Sequence, residues 1–494
     1  MLTRREFLIG SAALAGWTTG CARGVTESGP VVVNDIHSQL NAVRVERLVR
    51  PESLAGLRRA ILGAAAEQRG ISIAGGRHAM GGQQFGAGTV LLDMTGMTRV
   101  LSFDPDRGLI EVEAGIQWPD LIDHLLRVQA GRQPQWGIIQ KQTGADRLSI
   151  GGALAANVHG RGLTFKPFIA DVESFVLVSA DGNPVRCSRR ENADLFRLAI
   201  GGYGLFGVIA SVTLRLARRR KIERVVEVID VETLMPAVER RIAEGFLFGD
   251  FQYATDETAD DFLRRGVFSC YRPVDDRTPV QEGQKELSRE DWQRLLYLSH
   301  VDKKQAFAAY AGYYLGTTGQ IYWSDTHQMS VYLDDYHRGL DQRLGVSARA
   351  TEMITEIYVP RGSLAPFLED VRRDFRDNRV NLIYGTIRLI ERDEESFLRW
   401  ARERYACIIF NLHIVHSLEG MGQAELAFRR LIDRAIWYGG SYYLTYHRFA
   451  SRRQVERCYP QFAEFLRLKR KHDPEERFQS DWYRHYKAMF ADVL

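Results

Sequence analysis

Behind Pro51-Glu52-Ser53, apolar residues recur at Leu54, Leu57, Ile61, Leu62 and Ala65 before Gly70. That spacing predicts a helix with a serine N-cap and a glycine stop. Ile71-Ser72-Ile73-Ala74 and Thr89-Val90-Leu91-Leu92-Asp93 follow as two apolar strands, joined through a glycine-rich turn from Gly75 to Gly82. Leu109 to Ala114 alternates as a third strand, and Trp118-Pro119-Asp120 opens another helix with proline near its start. Residues 172–179 read as a strand ending in the turn Ala180-Asp181-Gly182-Asn183. The pattern is α+β from the outset. At Leu216-Ala217-Arg218-Arg219-Arg220-Lys221 the texture changes from glycine-rich to aromatic, charged and glycine-poor, which puts a domain boundary near residue 220. The basic run reads as a solvated linker, with contact to an anionic membrane surface as the lesser alternative. Glycine stays sparser through about residue 435, where Trp437-Tyr438-Gly439-Gly440 leads into a long aromatic and basic tail. No fixed-period repeat is present.

The first residues stand apart from that body. Thr3-Arg4-Arg5-Glu6-Phe7-Leu8 leads into an apolar stretch, Leu8 to Trp17, too short for a comfortable membrane span. It reads as a twin-arginine export signal over residues 1–30 and predicts a periplasmic or cell-envelope location. That route carries folded proteins, which suggests a tightly held cofactor acquired before export. Thr18-Thr19-Gly20-Cys21 ends in Gly-Cys as a lipoprotein cleavage box does, with Thr18 where leucine is usual. Lipidation at Cys21 and ordinary peptidase cleavage both stay open.

Composition narrows the class. At ~150 residues per domain, 494 residues allow about three domains. A chain 45% hydrophobic and 26% charged is a folded body, which excludes disorder, collagen and coiled coil. Lys+Arg 66 against Asp+Glu 62 leaves a formal charge of +4, too small to imply nucleic acid, so a small molecule is the expected partner. Cys21, Cys187, Cys270, Cys407 and Cys458 form no CxxC pair. The last four could pair in an oxidising compartment, but their wide spacing favours buried free thiols. His413-x-x-His416 has no nearby carboxylate or cysteine in sequence to complete a metal set, so both read as core histidines and no metal is expected.

Gly202-Tyr203-Gly204-Leu205-Phe206-Gly207 matches the GxGxxG dinucleotide fingerprint, which requires a strand before it and a helix after it. Here the order is reversed: Asp194 to Leu198 is helix-like and Val208 to Leu216 alternates as a strand. The reversed order argues against an NAD-binding Rossmann domain. The stronger signal is Gly75-Gly76-Arg77-His78-Ala79-Met80-Gly81-Gly82-Gln83, whose successive glycines let backbone N–H groups converge as a nest for a pyrophosphate. A second cluster, Ser149-Ile150-Gly151-Gly152 through Asn157-Val158-His159-Gly160, offers small residues against which a flat ring can lie.

These three clusters, in this order, resemble the flavoproteins that share the FAD-binding domain of vanillyl-alcohol oxidase and p-cresol methylhydroxylase (PCMH). The turn at Gly75 is similar to that of cytokinin dehydrogenases and sugar or lactone oxidases. Gly144 to Gly160, and Asp181-Gly182 through Ile209, look like decaprenylphosphoryl-ribose oxidase and alditol oxidase. The resemblance holds over residues 45–216 and returns at Tyr459-Pro460 and Asp473 to Asp481. It implies a two-part FAD-binding domain (residues 40–220, plus 436–494 returning to it) around a central α+β substrate or cap domain (221–435).

The same resemblance implies that Gly75, Gly76, Arg77 and His78 hold the FAD pyrophosphate. Gly144, Ser149, Gly152, Asn157 and His159 would line the cofactor, Ile209 would pack on the adenine side, and Tyr443 would touch the flavin. His78 occupies the place from which many members attach FAD covalently; the alternative is that it only packs beside the cofactor. The implied chemistry is hydride transfer from a substrate C–H to flavin N5, with a base taking the hydroxyl proton. Thr386-Ile387-Arg388 resembles a Glu-x-Arg strand of alditol oxidase with threonine in place of the acid, so Arg388 faces substrate or else pairs with an acid such as Glu391. Tyr443 to Arg448 matches a segment whose lysine approaches the flavin. No lysine is present, which leaves Tyr446 or His447 in that position and Arg448 as a source of charge, or a purely structural strand. The expected activity is oxidation of a hydroxyl on a sugar-, polyol- or lactone-like substrate, with oxygen or a quinone-type acceptor. A reductase of carbon–carbon double bonds and an electron-transfer subunit are the alternatives.

Overall fold

A computed structural model describes residues 26–27, 29–330, 333, 336–346 and 348–494. The twin-arginine stretch, the apolar run after it and Cys21 lie outside the described residues. No helix among the described residues is long and apolar enough to cross a membrane.

Ser53 caps the helix Leu54–Ala66, its side chain accepting from the Gly56 N–H, and Leu57, Ile61 and Ala64 form the buried stripe. This helix connects the strands Arg47–Val49 and Ile71–Ala74, both of which pair in parallel with Val90–Asp93. A strand covered on both faces is buried throughout, and all four residues of Val90–Asp93 are buried. The chain's end closes the edge beyond Ile71–Ala74. The Ile71 N–H donates to the Arg477 carbonyl (2.6 Å) and the Gln479 N–H to the Ile71 carbonyl (2.7 Å), while Phe478 enters the core of Leu57, Ile61 and Val90.

Five antiparallel strands form the next sheet, in the order Pro184–Ser188, Val172–Val178, Val208–Arg215, Leu109–Glu113 and Val100–Asp104. The short helix Ile150–Ala156 is tied to it by N–H bonds from Ile150 to the Ile116 carbonyl (2.9 Å) and from Gly151 to that of Ala114 (2.8 Å). The helix Ala193–Ala199 precedes the Gly202–Gly207 run and a strand follows it, so the apparent fingerprint is a helix-to-strand turn.

Eight antiparallel strands make the largest sheet, ordered Ile321–Trp323, Lys221–Asp230, Arg265–Pro273, Phe248–Tyr253, Leu382–Ile390, Tyr405–Val415, Ala350–Pro360 and Ser441–Tyr442. Side chains alternate across a strand, and the sheet uses that alternation to separate two environments. Met353, Ile357, Val359, Phe410 and Leu412 enter the main apolar core, which they share with the helices Leu364–Asp377 and Leu418–Trp437. Glu352, Ile354, Glu356, Ile409 and Asn411 instead face cavities on the other side.

The basic run is not a solvated linker. Ala217–Arg218 and Lys221–Asp230 are strands. Arg219 is buried against Asp325 at 2.8 Å and stacks on Trp323, and Lys221 Nζ donates to the carbonyls of Asp276 and Thr278. The partners that absorb the charge lie 55 to 106 residues away in sequence. Cys187, Cys270, Cys407 and Cys458 are buried free thiols, as their spacing suggests.

Asp171, at the end of the short turn Phe168–Asp171, is buried with one carboxylate oxygen lacking a hydrogen-bond partner among the described residues. Burial pushes its carboxyl up to about 8 from the ordinary 3.8, outweighing Gln140, Arg215 and Arg189. A group whose pKa rises on folding stabilises below its unfolded pKa and loses that contribution as pH climbs through the folded one. The Asp171→Asn variant should therefore gain in Tm over the parent between about pH 4 and about pH 8 and hold a constant lead above that. A Tm difference that is flat across this range in thermal melts would contradict the assignment.

Candidate active site

Where Ile71–Ala74 ends, the chain turns through Gly75 and Gly76 with Arg77 in the left-handed region at φ 58°. A Cβ on Gly75 would lie 2.0 Å from Ser149 Oγ, and one on Gly76 would lie 2.3 Å from the Arg147 carbonyl. The first glycine turn is thus pressed against the segment that starts the helix Ile150–Ala156. Ser149 is fixed there as the cap, accepting from the Gly152 N–H at 3.2 Å. A turn of this kind, two glycines followed by a left-handed residue, is the backbone an anion nest requires.

A cavity of about 230 Å³ opens between these turns. Gly75, Gly76, Arg77, His78, Gly144, Ser149, Gly152, His159, Ile209 and Tyr443 all border it, so ten of the residues expected to hold FAD are brought together. Backbone surface at one end and flat apolar walls elsewhere fit a cofactor with a pyrophosphate and a planar ring. His78 Nδ1 lies 2.8 Å from His37 Nε2. Burial holds both imidazoles down, His37 to about 4, so both are neutral at pH 7. Asn157 is the exception among the expected wall residues. It ends the helix in a left-handed conformation, donates to Asp393 (3.1 Å) and accepts from the Ile169 N–H (2.9 Å), and so turns away from the cavity.

A second cavity, of about 520 Å³, lies over the polar face of the large sheet. His37, Thr143, Gly144, Ile354, Arg388 and Tyr446 border both cavities and mark where they meet. Arg388 projects from Leu382–Ile390 with its Nε unbonded among the described residues. Glu391 is not its partner, being held by Arg361 and Arg404 at 2.9 Å each. Tyr446 Oη lies 3.4 Å from Glu356 Oε2, and Glu356 Oε1 lies 2.5 Å from His159 Nε2. The other nitrogen of His159 is 3.1 Å from the Gly160 carbonyl, to which it must donate. One further proton is therefore shared between His159 and Glu356. Burial and the neighbouring Glu356 push the Tyr446 phenol well up, so it is un-ionised.

Tyr446 and His447 diverge. His447 borders neither cavity; its ring stacks on Phe449 with centroids 4.0 Å apart, and neither nitrogen has a hydrogen-bond partner among the described residues. Burial, then Arg448, pushes it down to about 3. The expectation of His447 as a base at the flavin is thereby corrected. Arg448 is also structural, donating to the Gly81 carbonyl at 2.8 Å. Sequence reasoning missed Glu356 and His37. The signal for Glu356 was its place with Glu352 at even spacing in an otherwise apolar strand; His37 had none.

The FAD binding domain family matches residues 45–188. The chain is similar to an L-gulono-1,4-lactone dehydrogenase of Mycobacterium tuberculosis, with 26% identity over 88% of this chain and 95% of that protein. It is also similar to an L-gulonolactone oxidase of Mus musculus, with 29% identity over 34% of this chain and 37% of that one. An L-galactono-1,4-lactone dehydrogenase of Oryza sativa shares 30% identity over 38% of this chain and 32% of its own length. A cradle from which side chains are excluded, set in the matching residues, leads to one conclusion: the chain is an FAD-dependent oxidoreductase with an FAD-binding domain of the p-cresol methylhydroxylase type.

Proposed function

We propose that the protein oxidises a hydroxyl group of a sugar-lactone-like substrate bound in the larger cavity, formed mainly by residues 221–435. The observation that carries this reading is the meeting of the two cavities at Arg388 and Tyr446. The names of its relatives, lactone dehydrogenases and oxidases, support the substrate class. So do the tyrosine rings of the cavity, Tyr310, Tyr314, Tyr322 and Tyr384 among them, which suit a polyhydroxylated ring. FAD, when bound, supplies the acceptor for the hydride leaving the substrate carbon. Tyr446 Oη holds the substrate hydroxyl and takes its proton as its own passes to Glu356 Oε2, with His159 steadying the carboxylate. The guanidinium of Arg388 stabilises negative charge that develops between the cavities. Oxygen or a quinone-type acceptor then removes the electrons.

In this reading backbone groups from Gly75 to His78 hold the pyrophosphate, and His78 is the point of covalent attachment, its neutral imidazole being a nucleophile whose Nδ1 is positioned by His37. Export through the twin-arginine stretch and lipidation at Cys21 belong to the same proposal; expression with and without residues 1–30, followed by cell fractionation, tests both.

Arg388→Ala and Tyr446→Phe should each lower kcat/KM on L-gulono-1,4-lactone by about 100-fold or more while leaving flavin content unchanged. Full activity in both, or flavin reduction by NAD(P)H in place of the lactone, would overturn the reading. Peroxide released during turnover identifies oxygen as the acceptor.

Gly75→Ala places a Cβ against the Ser149 cap, and the purified variant should lack the flavin absorbance of the parent. Acid precipitation of the parent should leave the flavin in the pellet, and in His78→Ala should release it to the supernatant. Release from the parent as well would demote His78 to a wall residue.

A further inference from the structure

His413 does have a carboxylate beside it, on the neighbouring strand. Glu352 of Ala350–Pro360 is the register partner of His413 of Tyr405–Val415, and His413 Nδ1 lies 3.4 Å from Glu352 Oε1. The last turn of the helix Arg289–Val301 brings His300 Nε2 to 3.1 Å from the same oxygen. The first turn of the helix Tyr336–Leu344 brings His337 Nδ1 to 3.0 Å from Oε2. His300, His413 and Glu352, from three separate elements, thus bring ligand atoms within 4.8 Å of one another, His337 from a fourth meets the second carboxylate oxygen, and Glu352 and His300 are each only 4% exposed there. His416 takes no part, its ring bonding to Thr351.

The hydrogen-bond chemistry of this cluster calls for a cation. His300 Nδ1 is 2.9 Å from the Leu296 carbonyl and must donate to it. In a neutral ring this leaves the lone pair of Nε2 facing a carboxylate oxygen, a repulsion that only a positive charge between them removes. A proton can supply it, and so can a metal. Glu352 Oε1 stands 3.1 Å from His300 Nε2 and 3.4 Å from His413 Nδ1, and Oε2 stands 3.0 Å from His337 Nδ1, separations that bonds of ~2.0–2.1 Å to a shared ion span, as zinc makes with nitrogen and oxygen donors. The bond from His300 Nδ1 to a backbone carbonyl is the outer support that orients a ligating imidazole. Three imidazoles and one carboxylate without thiolate select a borderline divalent ion over magnesium or calcium.

We propose that His300, His337, His413 and Glu352 form a binding site for a divalent transition-metal cation of the zinc class. Glu352 and His337 also border the larger cavity, so the ion would sit in the wall of that cavity and not in the distant core. Metal would replace the proton between His300 and Glu352, releasing it to solvent. The site stands independently of the substrate proposed above.

The test uses the full-length, flavin-loaded protein, stripped with a chelator and titrated with zinc chloride by calorimetry. One equivalent should bind per chain, and cobalt(II) in its place should give the d–d absorption of a tetrahedral ion at wavelengths beyond the flavin bands. His300→Ala and Glu352→Gln should each weaken binding by at least 100-fold and abolish the cobalt bands. His413→Gln replaces either variant that fails to retain its flavin. No binding by the parent, or undiminished binding in a flavin-loaded variant lacking a ligand, would overturn the site.

Discussion

Everything at the site depends on how tightly the first glycine turn is held between two other pieces of chain. On one side the Gly75–Gly76 backbone meets Arg147 and Ser149 at distances that admit no side chain. On the other, the Met80 N–H donates to the Thr445 carbonyl (3.2 Å), Gln83 Nε2 to that of Leu444 (2.7 Å) and Arg448 to that of Gly81 (2.8 Å). These bonds join segments more than 350 residues apart and leave Tyr443 and Tyr446 projecting into the cofactor cavity. Backbone carbonyls accept all three bonds, and buried N–H and carbonyl groups are costly to leave unpaired, so the turn cannot open without losing several bonds together.

The large sheet does the complementary work. An alternating strand has two faces, and here one is apolar against helices while the other carries Glu352, Glu356, Asn411 and, from the next strand, Arg388. A polar side chain inside a strand ordinarily weakens packing. On this face the cost is offset in part by pairing, Glu356 with His159 and Glu352 with three imidazoles. The same strand, Ala350–Pro360, therefore reaches both the flavin side and the proposed metal site with residues four apart.

Much of this was legible in the sequence where a local rule applied. The Ser53 cap, the period of Leu54–Ala66, the strand on each side of the Gly75 turn and the inverted order around Gly202–Gly207 all follow from residues within a few positions of one another. What escaped depends on partners brought from afar. Arg219 reads as solvated until Asp325 appears beside it. His413 reads as a core histidine until strand pairing supplies Glu352. Asn157 sits among cavity residues in sequence, yet as the left-handed end of a helix it is turned toward Asp393. Between Tyr446 and His447 no local rule decides, since the chain there leaves its strand at Tyr442 and turns, and the carbonyl bonds to the Gly75–Gln83 segment hold that turn in place.

The charges at the junction show why the cavity remains reactive. Arg388 and Glu356 lie on strands separated by Tyr405–Val415, so at ~4.8 Å per strand their backbones stand roughly 10 Å apart. The intervening strand sets Cys407 opposite Arg388 and Ile409 opposite Glu356. Burial pushes the Cys407 thiol well up, so it is neutral, and Ile409 carries no charge at all. The middle strand thus places no charge between the cation and the carboxylate. The nearby acid that might have neutralised Arg388, Glu391, is taken by two other arginines, and Asp250 is paired with Arg161. A cation and a proton-accepting carboxylate are thus kept apart across one strand while both border the cofactor cavity, and their attraction is available to charge that forms between them.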